Sequence, residues 1–477
     1  MKLLAGRTLP SMKTGFLFGV LVIILGVSPT NIATASESVT ASSEAASENY
    51  QDNWWRSVRQ GMWEWEGADW SVIRSALVRI EQASGKRRYP DKVDTIIKYG
   101  PGHWVYEWSR IGEKAYKQGL KQENKGDTVA ARRSFLNSSI YYTQGSYPHL
   151  RDKHSRAALA KAFEMYKRAG RYFSVPMEEW ELEVDGARFK AFVHFPESPT
   201  SKPIPVILKT GGMDVLSTEF YPLSETITEY GAAMIVYDSP GTGNDGIVDS
   251  EYDKHHVAVL KRVLADRRFD AERIGIWSES LAGVTAVKIA IGEHRGSIAA
   301  AVNSCGPIHT LYALAMSGEE PTQYDSHELV AAYNKGQLSK QKLAEIQKTM
   351  LTPEFEQRLL NFQTETYLDR VRASSDNMMG LLASSLPVSL VDQGLLGKKN
   401  ITNTPILTIN THFDPLVPLS ESQLATDASV QGKLMIIDEY GGHCVSRAEI
   451  PLIMEWLAFH LQLAPLGNYV NKIRAVN

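Results

Sequence analysis

Residues 273–283 read Arg-Ile-Gly-Ile-Trp-Ser-Glu-Ser-Leu-Ala-Gly, and this stretch decides the fold. Residues 273–277 have a strand pattern that is apolar after Arg273, and it stops abruptly at a Ser-Glu-Ser sequence. Residues 284–291 (VTAVKIAI) then continue as an apolar helix. A strand that turns sharply through a serine into a helix exposes the serine hydroxyl at the end of the strand. Ser280 is therefore a candidate nucleophile.

The turn departs from the usual pattern of such a nucleophile elbow. That pattern is G-x-S-x-G, because the tight turn leaves room only for very small side chains on either side of the serine. Here Ser278 and Ala282 occupy the glycine positions. Both are small, so the turn can form, and Ser278 is an alternative nucleophile. The segment also fits a serine-rich N-cap that merely opens a helix.

Two residues later in the chain complete a possible catalytic triad. Asp414 follows the apolar strand pattern of residues 404–410 (TPILTIN), and His443 follows that of residues 433–437 (KLMII) after two glycines. The order Ser, Asp, His is that of the α/β-hydrolases. We predict that Ser280 attacks, that His443 takes and returns its proton, and that Asp414 holds the imidazole in the correct tautomer.

Acyl transfer also needs N–H donors for the developing oxyanion. Residues 206–209 form a strand pattern that runs into Thr-Gly-Gly-Met at 210–213. We predict one donor at Gly212 or Met213 and the other at Leu281, directly after the nucleophile. The alternative interpretation of Gly211 and Gly212 is an ordinary tight turn that supplies no donor. The loop 237–243 (YDSPGTG) is expected to shape the pocket floor.

The second part of the chain, residues 176–477, alternates short strands with helices. This alternation predicts an α/β fold with a mostly parallel sheet covered by helices on both faces. Residues 307–397 contain no strand signal and have helical patterns, which indicates a helical insertion into the sheet domain. The predicted strands are 180–195, 205–209, 232–237, 273–277, 299–303, 405–410 and 434–437.

Residues 50–175 have a different character and predict an all-helical cap domain. Segments 110–123, 128–142 and 153–168 carry apolar residues at helical spacing. The region is rich in tryptophan, which either packs a helical core or lines an aromatic pocket; we favour the core. Its tryptophans are Trp54, Trp55, Trp63, Trp65, Trp70, Trp104 and Trp108.

The composition is that of an ordinary globular protein. Of 477 residues, 43% are apolar and 22% charged, which excludes disordered, collagen-like and polytopic membrane proteins. Lys and Arg number 51 against 54 Asp and Glu, so no basic excess suits a nucleic acid. No P-loop, H-E-x-x-H or G-x-G-x-x-G with a downstream acid occurs, and we predict no nucleotide, metal or other cofactor.

Residues 1–35 have the parts of a secretory signal peptide. Three basic residues precede the thirteen uncharged residues 15–27, and Ala-Thr-Ala follows at 33–35. We expect cleavage after Ala35, a flexible linker over 36–49, and a periplasmic or secreted protein. An uncleaved membrane anchor and an over-extended start site, which would leave the protein cytoplasmic, are the alternatives.

The two cysteines, Cys305 and Cys444, both follow predicted strands, at ends that should lie near one edge of the sheet. We favour two free buried thiols, with a disulfide as the alternative in an oxidising compartment. His255 and His256 lie on a helical pattern, and we favour a solvated helix face over a metal-binding pair.

Glu219 and His309 are candidate substrate-binding residues. Glu219 lies downstream of the Gly-Gly turn, and His309 follows the strand after the elbow helix. Either side chain could enter the pocket and orient a substrate carbonyl.

The chain resembles the FrsA-type esterases (fermentation–respiration switch proteins) and, more distantly, the 2,6-dihydroxypseudooxynicotine hydrolases. The resemblance covers residues 50–477. The segments that carry it are 61–69 (GMWEWEGAD), 99–108 (YGPGHWVYEW), 146–150 (SYPHL), 211–214 (GGMD), 306–309 (GPIH) and 394–397 (GLLG).

The resemblance implies an α/β-hydrolase with a helical cap and carboxylic-ester hydrolase activity. Separately, the tryptophan and tyrosine content of the chain favours a small-molecule substrate that is hydrophobic. The resemblance also leaves two alternatives open. Related members cleave C–C bonds in acyl-aromatic or polyketide-like compounds, and some members that lack triad residues are regarded as regulatory. This chain has all three triad residues, which favours catalysis. A homodimer is left open.

Overall fold

A mixed sheet organises the fold in this computed structural model. Among the described residues its strands are β1 Glu178–Val184, β2 Ala187–His194, β3 Ile204–Thr210, β4 Ala233–Tyr237, β5 Phe269–Glu279, β6 Ala300–Ser304, β7 Ile406–Thr411 and β8 Lys433–Ile437. They lie in the order β1-β2-β4-β3-β5-β6-β7-β8. β2 is antiparallel to both β1 and β4, and all other pairs are parallel. The predicted α/β fold with a mostly parallel sheet is confirmed.

The structure describes the chain from Asn53 onward, with gaps. The described residues are 53–147, 152–199, 201–212, 215–244, 246, 248–309, 337, 339–341, 388–391, 393–412, 414, 417–437, 443–444 and 449–463. No helix within these ranges combines the length and the apolar character that crossing a membrane requires. The predicted signal peptide and linker lie outside them.

The central strands are buried along almost their whole length. Every residue of β4, β6 and β7 is buried, as are all but the first of β3. Successive side chains of a strand point to opposite faces, so these strands are covered on both faces, as their near-continuous apolar runs predict. The helices that alternate with them are α6 Tyr221–Glu229, α7 Lys254–Ala265, α8 Gly283–Ile291, α9 Leu419–Asp427 and α10 Glu449–His460.

The sequence prediction was wrong about residues 180–195, which form a hairpin and not one strand. β1 and β2 pair in antiparallel register from Glu178–Val193 to Val184–Ala187. Asp185 and Gly186 make the turn, with φ values of 53° and 78°. Asp-Gly between two strand segments is the sequence that two-residue hairpin turns favour, because both central residues need positive φ. That signal was present in the sequence.

Within the described part of the chain, five helices precede the sheet, as the helical patterns predict. They are α1 Gln60–Trp65, α2 Trp70–Glu81, α3 Trp104–Asn124, α4 Thr128–Ser146 and α5 Lys153–Gly170. Three of them begin after an aspartate whose carboxylate accepts backbone N–H groups of the first turn: Asp69, Asp127 and Asp152. Such caps satisfy donors that have no partner within the helix.

Most tryptophans of this region pack in its core. Trp63, Trp104 and Trp108 are at most 1% exposed, and their rings meet at centroid distances of 5.2 and 5.3 Å. The Trp104 indole N–H also donates to the carbonyl of Gln144, at 2.6 Å. These residues therefore support the core interpretation and not an aromatic pocket.

The predicted insertion at 307–397 lies mostly outside the described residues, and the domain boundaries stay predictions. The two described ends of this segment meet, because Leu390 N–H donates to the carbonyl of Ile308 at 2.8 Å.

His194 joins the helical region to the sheet. It lies at the end of β2, is 4% exposed, and its Nε2 lies 3.0 Å from the Tyr166 hydroxyl of α5. Burial disfavours the charged imidazolium and lowers the pKa of His194 to about 3. The folded protein therefore keeps this imidazole neutral at pH values where the unfolded chain, with a pKa near 6.5, takes up a proton.

We expect His194 to make folding acid-sensitive. Below pH 6.5 the unfolded state binds more protons than the folded state. The contribution of neutral His194 to the free energy of unfolding is therefore complete above that pH and is lost as pH falls toward 3. Between pH 7 and pH 5 it should lower the free energy of unfolding by about 2 kcal/mol. Urea unfolding of His194→Gln should show a correspondingly smaller drop over this range.

The matched control is Tyr166→Phe, which removes the hydroxyl but keeps the imidazole. It should lower stability at both pH values and leave the difference between them intact. An equal pH dependence in His194→Gln and the unsubstituted chain would contradict the assignment.

Candidate active site

Ser280 stands on a sharp turn at the carboxyl end of β5. Its φ is 52°, in the left-handed region that residues other than glycine seldom adopt. A short 3-10 turn, Ser280–Ala282, leads directly into α8. This is the strand–turn–helix arrangement that the sequence predicts, and it presents the hydroxyl at the edge of the sheet.

Two glycines let the chain pack closely behind this turn. A Cβ on Gly283 would lie 2.7 Å from the Cα of Gly306, which follows β6. Asn303 holds this second turn, since its amide donates to the Gly306 carbonyl at 3.1 Å and accepts from the Gly306 N–H at 2.9 Å. The small residue that the packing requires is therefore Gly283, one position beyond Ala282.

The structure brings the three predicted triad residues together. His443 Nε2 lies 2.7 Å from Ser280 Oγ, and His443 Nδ1 lies 2.9 and 3.1 Å from the two carboxylate oxygens of Asp414. The Asp414 side chain is fully buried, and that of His443 is 17% exposed. Asp414 also accepts the Val417 N–H at 3.0 Å, which fixes the carboxylate.

Ser278, the alternative nucleophile, points into the protein. It is fully buried, and its hydroxyl accepts from Thr210 at 2.9 Å and lies 3.2 Å from His256 Nε2. The same His256 nitrogen lies 2.8 Å from the hydroxyl of Thr285 in α8. This buried polar cluster joins β3, β5, α7 and α8 directly beneath the elbow.

The expectation of a solvated face at His255 and His256 was wrong, because both imidazoles are fully buried. His255 stacks on Phe189 at 3.8 Å, and its Nδ1 lies 2.9 Å from the carbonyl of Asp238. Burial lowers the pKa of His256 to about 3 and that of His255 to about 4, so both are neutral at pH 7. The helical pattern alone did not tell which face of α7 packs against the sheet.

Gly212 lies directly against the nucleophile. A Cβ at this position would come within 2.5 Å of the Ser280 Cβ and 2.9 Å of its Oγ, so only glycine fits. Leu281 follows Ser280 at the start of the 3-10 turn, where backbone N–H groups have no partner further back in the helix. Met213, the other predicted donor position, lies outside the described residues.

A buried ion pair that no sequence pattern indicates connects the strand before Gly212 with the elbow. The ammonium of Lys209 lies 2.5 Å from the carboxylate of Glu279, the residue before the nucleophile. The Lys209 side chain is fully buried, and that of Glu279 is 16% exposed. The ammonium also lies over the rings of Phe220 and Trp277, at 4.2 and 4.8 Å from their centroids.

The two candidate substrate-binding residues are each held by neighbouring elements. Glu219 is buried, and its carboxylate accepts the Leu216 N–H at 2.7 Å and the Gln144 amide of α4 at 3.2 Å. The backbone N–H of His309 donates to the carboxylate of Glu421 at 2.6 Å, and the ring Nδ1 lies 3.3 Å from the hydroxyl of Ser389. Their roles toward a substrate stay predictions.

The favoured interpretation of two free thiols was wrong, because Cys305 and Cys444 form a disulfide. Their Cα atoms are 5.4 Å apart, inside the range that a disulfide bridges. With His443 they make a group of possible metal ligands within 4.8 Å of one another. The disulfide removes both thiolates from such a set, and His443 Nε2 already faces Ser280.

We expect the Lys209–Glu279 pair to behave as a coupled unit. Lys209→Met should lower the free energy of unfolding by about 3 kcal/mol, because it leaves the Glu279 carboxylate uncompensated in a largely buried site. The double variant Lys209→Met/Glu279→Gln should lose less free energy of unfolding than Lys209→Met, since neither charge remains. Urea unfolding of the unsubstituted chain, Lys209→Met, Glu279→Gln and the double variant measures the coupling. Additive losses would mean that the two side chains act independently.

Sequence comparison identifies a family and several relatives of this chain. The sequence model of the family described as "Esterase FrsA-like" matches residues 28–332, more than half of the chain. Esterase FrsA of Photobacterium profundum is 24% identical over 416 residues, covering 85% of this chain and 88% of the relative. Esterase FrsA of Serratia proteamaculans is 27% identical over 398 residues, covering 82% and 84%.

Solved structures support the fold. A 2,6-dihydroxy-pseudo-oxynicotine hydrolase aligns with a TM-score of 0.57 at 18% identity, over 84% of this chain and 96% of that one. AbyA5 aligns with a TM-score of 0.51 at 20% identity, over 83% and 91%. The family match and the FrsA relatives confirm the resemblance inferred from the sequence, and the protein is an esterase-like hydrolase. This chain belongs to the FrsA-like esterase family and has the α/β-hydrolase fold.

Proposed function

We propose that the protein is a serine hydrolase that cleaves small carboxylic esters or acyl compounds through an acyl-enzyme. The observation that carries this proposal is the continuous contact from Ser280 Oγ through both imidazole nitrogens of His443 to Asp414. The positive φ of Ser280 supports it, because strained backbone clusters at active sites.

In the proposed reaction, Ser280 attacks the acyl carbon while His443 Nε2 takes the hydroxyl proton. Asp414 accepts the Nδ1–H and stabilises the imidazolium that forms. The C–O bond of the ester then breaks, and His443 gives its proton to the leaving alcohol. Water, activated by the same imidazole, attacks the acyl-enzyme and releases the acid together with free Ser280.

The oxyanion of each tetrahedral intermediate needs donors beside Ser280. The Leu281 N–H follows the nucleophile directly, and Gly212 is the residue that lies against the Ser280 side chain. We assign both backbone N–H groups to this task. Donors fixed before the reaction stabilise the developing charge without reorganising. The Lys209–Glu279 ion pair joins the strands that carry the two donors.

We expect Ser280→Ala to remove hydrolysis of a p-nitrophenyl ester series from acetate to octanoate. Loss of the nucleophile should lower kcat by roughly 10⁴-fold or more. Ser278→Ala is the matched control and should retain kcat within about tenfold, because its hydroxyl faces the buried cluster beneath the elbow and not His443. The preferred chain length would show the size of the acyl pocket.

The other outcomes separate the alternatives. Activity that survives in Ser280→Ala and vanishes in Ser278→Ala would make Ser278 the nucleophile. Labelling of Ser280 by a fluorophosphonate without ester turnover would favour C–C hydrolysis, tested by product analysis with acyl-aromatic substrates. The absence of both labelling and turnover would indicate a catalytically silent binding protein on the same fold.

We also propose that the protein is exported. The basic start, the apolar residues 15–27 and the Ala-Thr-Ala sequence support this, and disulfides persist mainly in oxidising compartments. When the full chain is expressed in a Gram-negative host, the cleaved product should be recovered from the periplasm or medium with Ser36 as its first residue. An intact N-terminus in the membrane fraction would indicate an anchor, and cytoplasmic protein would contradict export.

A further inference from the structure

We propose that the Cys305–Cys444 disulfide positions His443, so that the hydrolase is fully active only in its oxidised form. The inference rests on the proposed function and extends it to redox control of the same site. Its basis is that one half of the disulfide directly follows His443 in the chain.

The disulfide attaches the His443 backbone to the centre of the sheet. Cys305 is the first residue after β6, and its N–H donates to the carbonyl of Ile409 in β7 at 2.6 Å. β6 and β7 are paired with each other and lie between the strand that leads to Ser280 and the strand that precedes His443. The covalent link therefore connects His443 to β6, which pairs with both strands that lead to the other two triad residues.

The backbone at both cysteines is strained. Cys305 and Cys444 each have a φ of 50°, in the region that costs an L-residue energy. Such a conformation persists only where surrounding structure enforces it. Gly441 and Gly442 precede His443 in the sequence, and glycine has the most conformational freedom to lose. Without the disulfide, the covalent connection between Cys444 and the end of β6 is lost, and with it one constraint on the strained backbone beside His443.

The second consequence of reduction concerns the imidazole itself. Cys444 Sγ lies 3.5 Å from His443 Nε2, the nitrogen that faces Ser280. In the disulfide this sulfur carries no proton. After reduction its thiol can donate to Nε2 or lose its proton to it, as cysteines beside histidine do. The free thiol would then compete with Ser280 for the base.

The redox step exchanges two electrons and two protons. A dithiol such as dithiothreitol reduces the S–S bond, becomes a cyclic disulfide itself, and leaves Cys305 and Cys444 as thiols. Oxidised glutathione or a protein disulfide donor reverses the step and is reduced in turn.

The test compares the oxidised full chain, the dithiothreitol-reduced chain and the Cys305→Ala/Cys444→Ala variant. Thiol titration in denaturant counts the free cysteines. Fluorophosphonate titration counts reactive Ser280, so that kcat is expressed per active site. We expect reduction to lower kcat about ten- to a hundredfold with KM changed by less than about threefold, because misplacing a catalytic group costs rate more than binding.

The double variant separates positioning from general destabilisation. It should have a low kcat that dithiothreitol does not change, while the unsubstituted chain recovers when oxidised glutathione re-forms the disulfide. Circular dichroism and assays below the melting midpoint of the reduced protein keep the comparison among folded molecules. A purely structural role would reduce the number of titratable sites and leave kcat per site unchanged.

Two results would overturn the inference. One is two free thiols in active protein purified from an oxidising compartment. The other is a fully reduced chain whose kcat per site and rate of fluorophosphonate labelling stay within twofold of the oxidised chain. If the oxidised chain is neither labelled nor active, the proposed function itself fails and the inference falls with it. Equal labelling in both redox states, by contrast, overturns only the redox inference and leaves the proposed function standing.

Discussion

The strained turn at Ser280 is the constraint on which the rest of the site depends. A non-glycine residue at a φ of 52° costs on the order of 1–3 kcal/mol, and the surrounding structure must enforce it. Pairing of β5 with β3 and β6 holds the strand before the turn, and Gly283 and Gly306 let α8 approach behind it. With the hydroxyl fixed at this edge, Asp414 and His443, which follow β7 and β8 in the chain, meet it there.

This dependence explains how much could be predicted from the sequence. Parallel strands have their carboxyl ends at one edge of a sheet, so residues that follow different strands meet without being close in the chain. Ser280, Asp414 and His443 each follow an apolar strand pattern, and the sheet brings them together. Gly212 follows the same rule at the end of β3, against the side chain of Ser280.

What the sequence did not reveal depends on register and on which face of an element packs. Lys209 and Glu279 meet only because β3 and β5 are neighbours with Lys209 opposite Trp277, and neither residue is unusual in a strand. His255 and His256 look like polar residues of a surface helix until α7 is known to turn them inward. The Cys305–Cys444 pairing depends on two loop conformations with positive φ, which no periodicity encodes.

The disulfide also changes the covalent topology of the molecule. It joins two residues 139 positions apart and thereby closes a ring that contains β7, β8 and the segment between β6 and β7. A protease that cuts once inside this ring would produce two fragments, one with Ser280 and the other with His443, that remain a single molecule. Nicked protein would therefore keep the nucleophile and the base in one covalently joined molecule, wherever between Cys305 and His443 the cut falls.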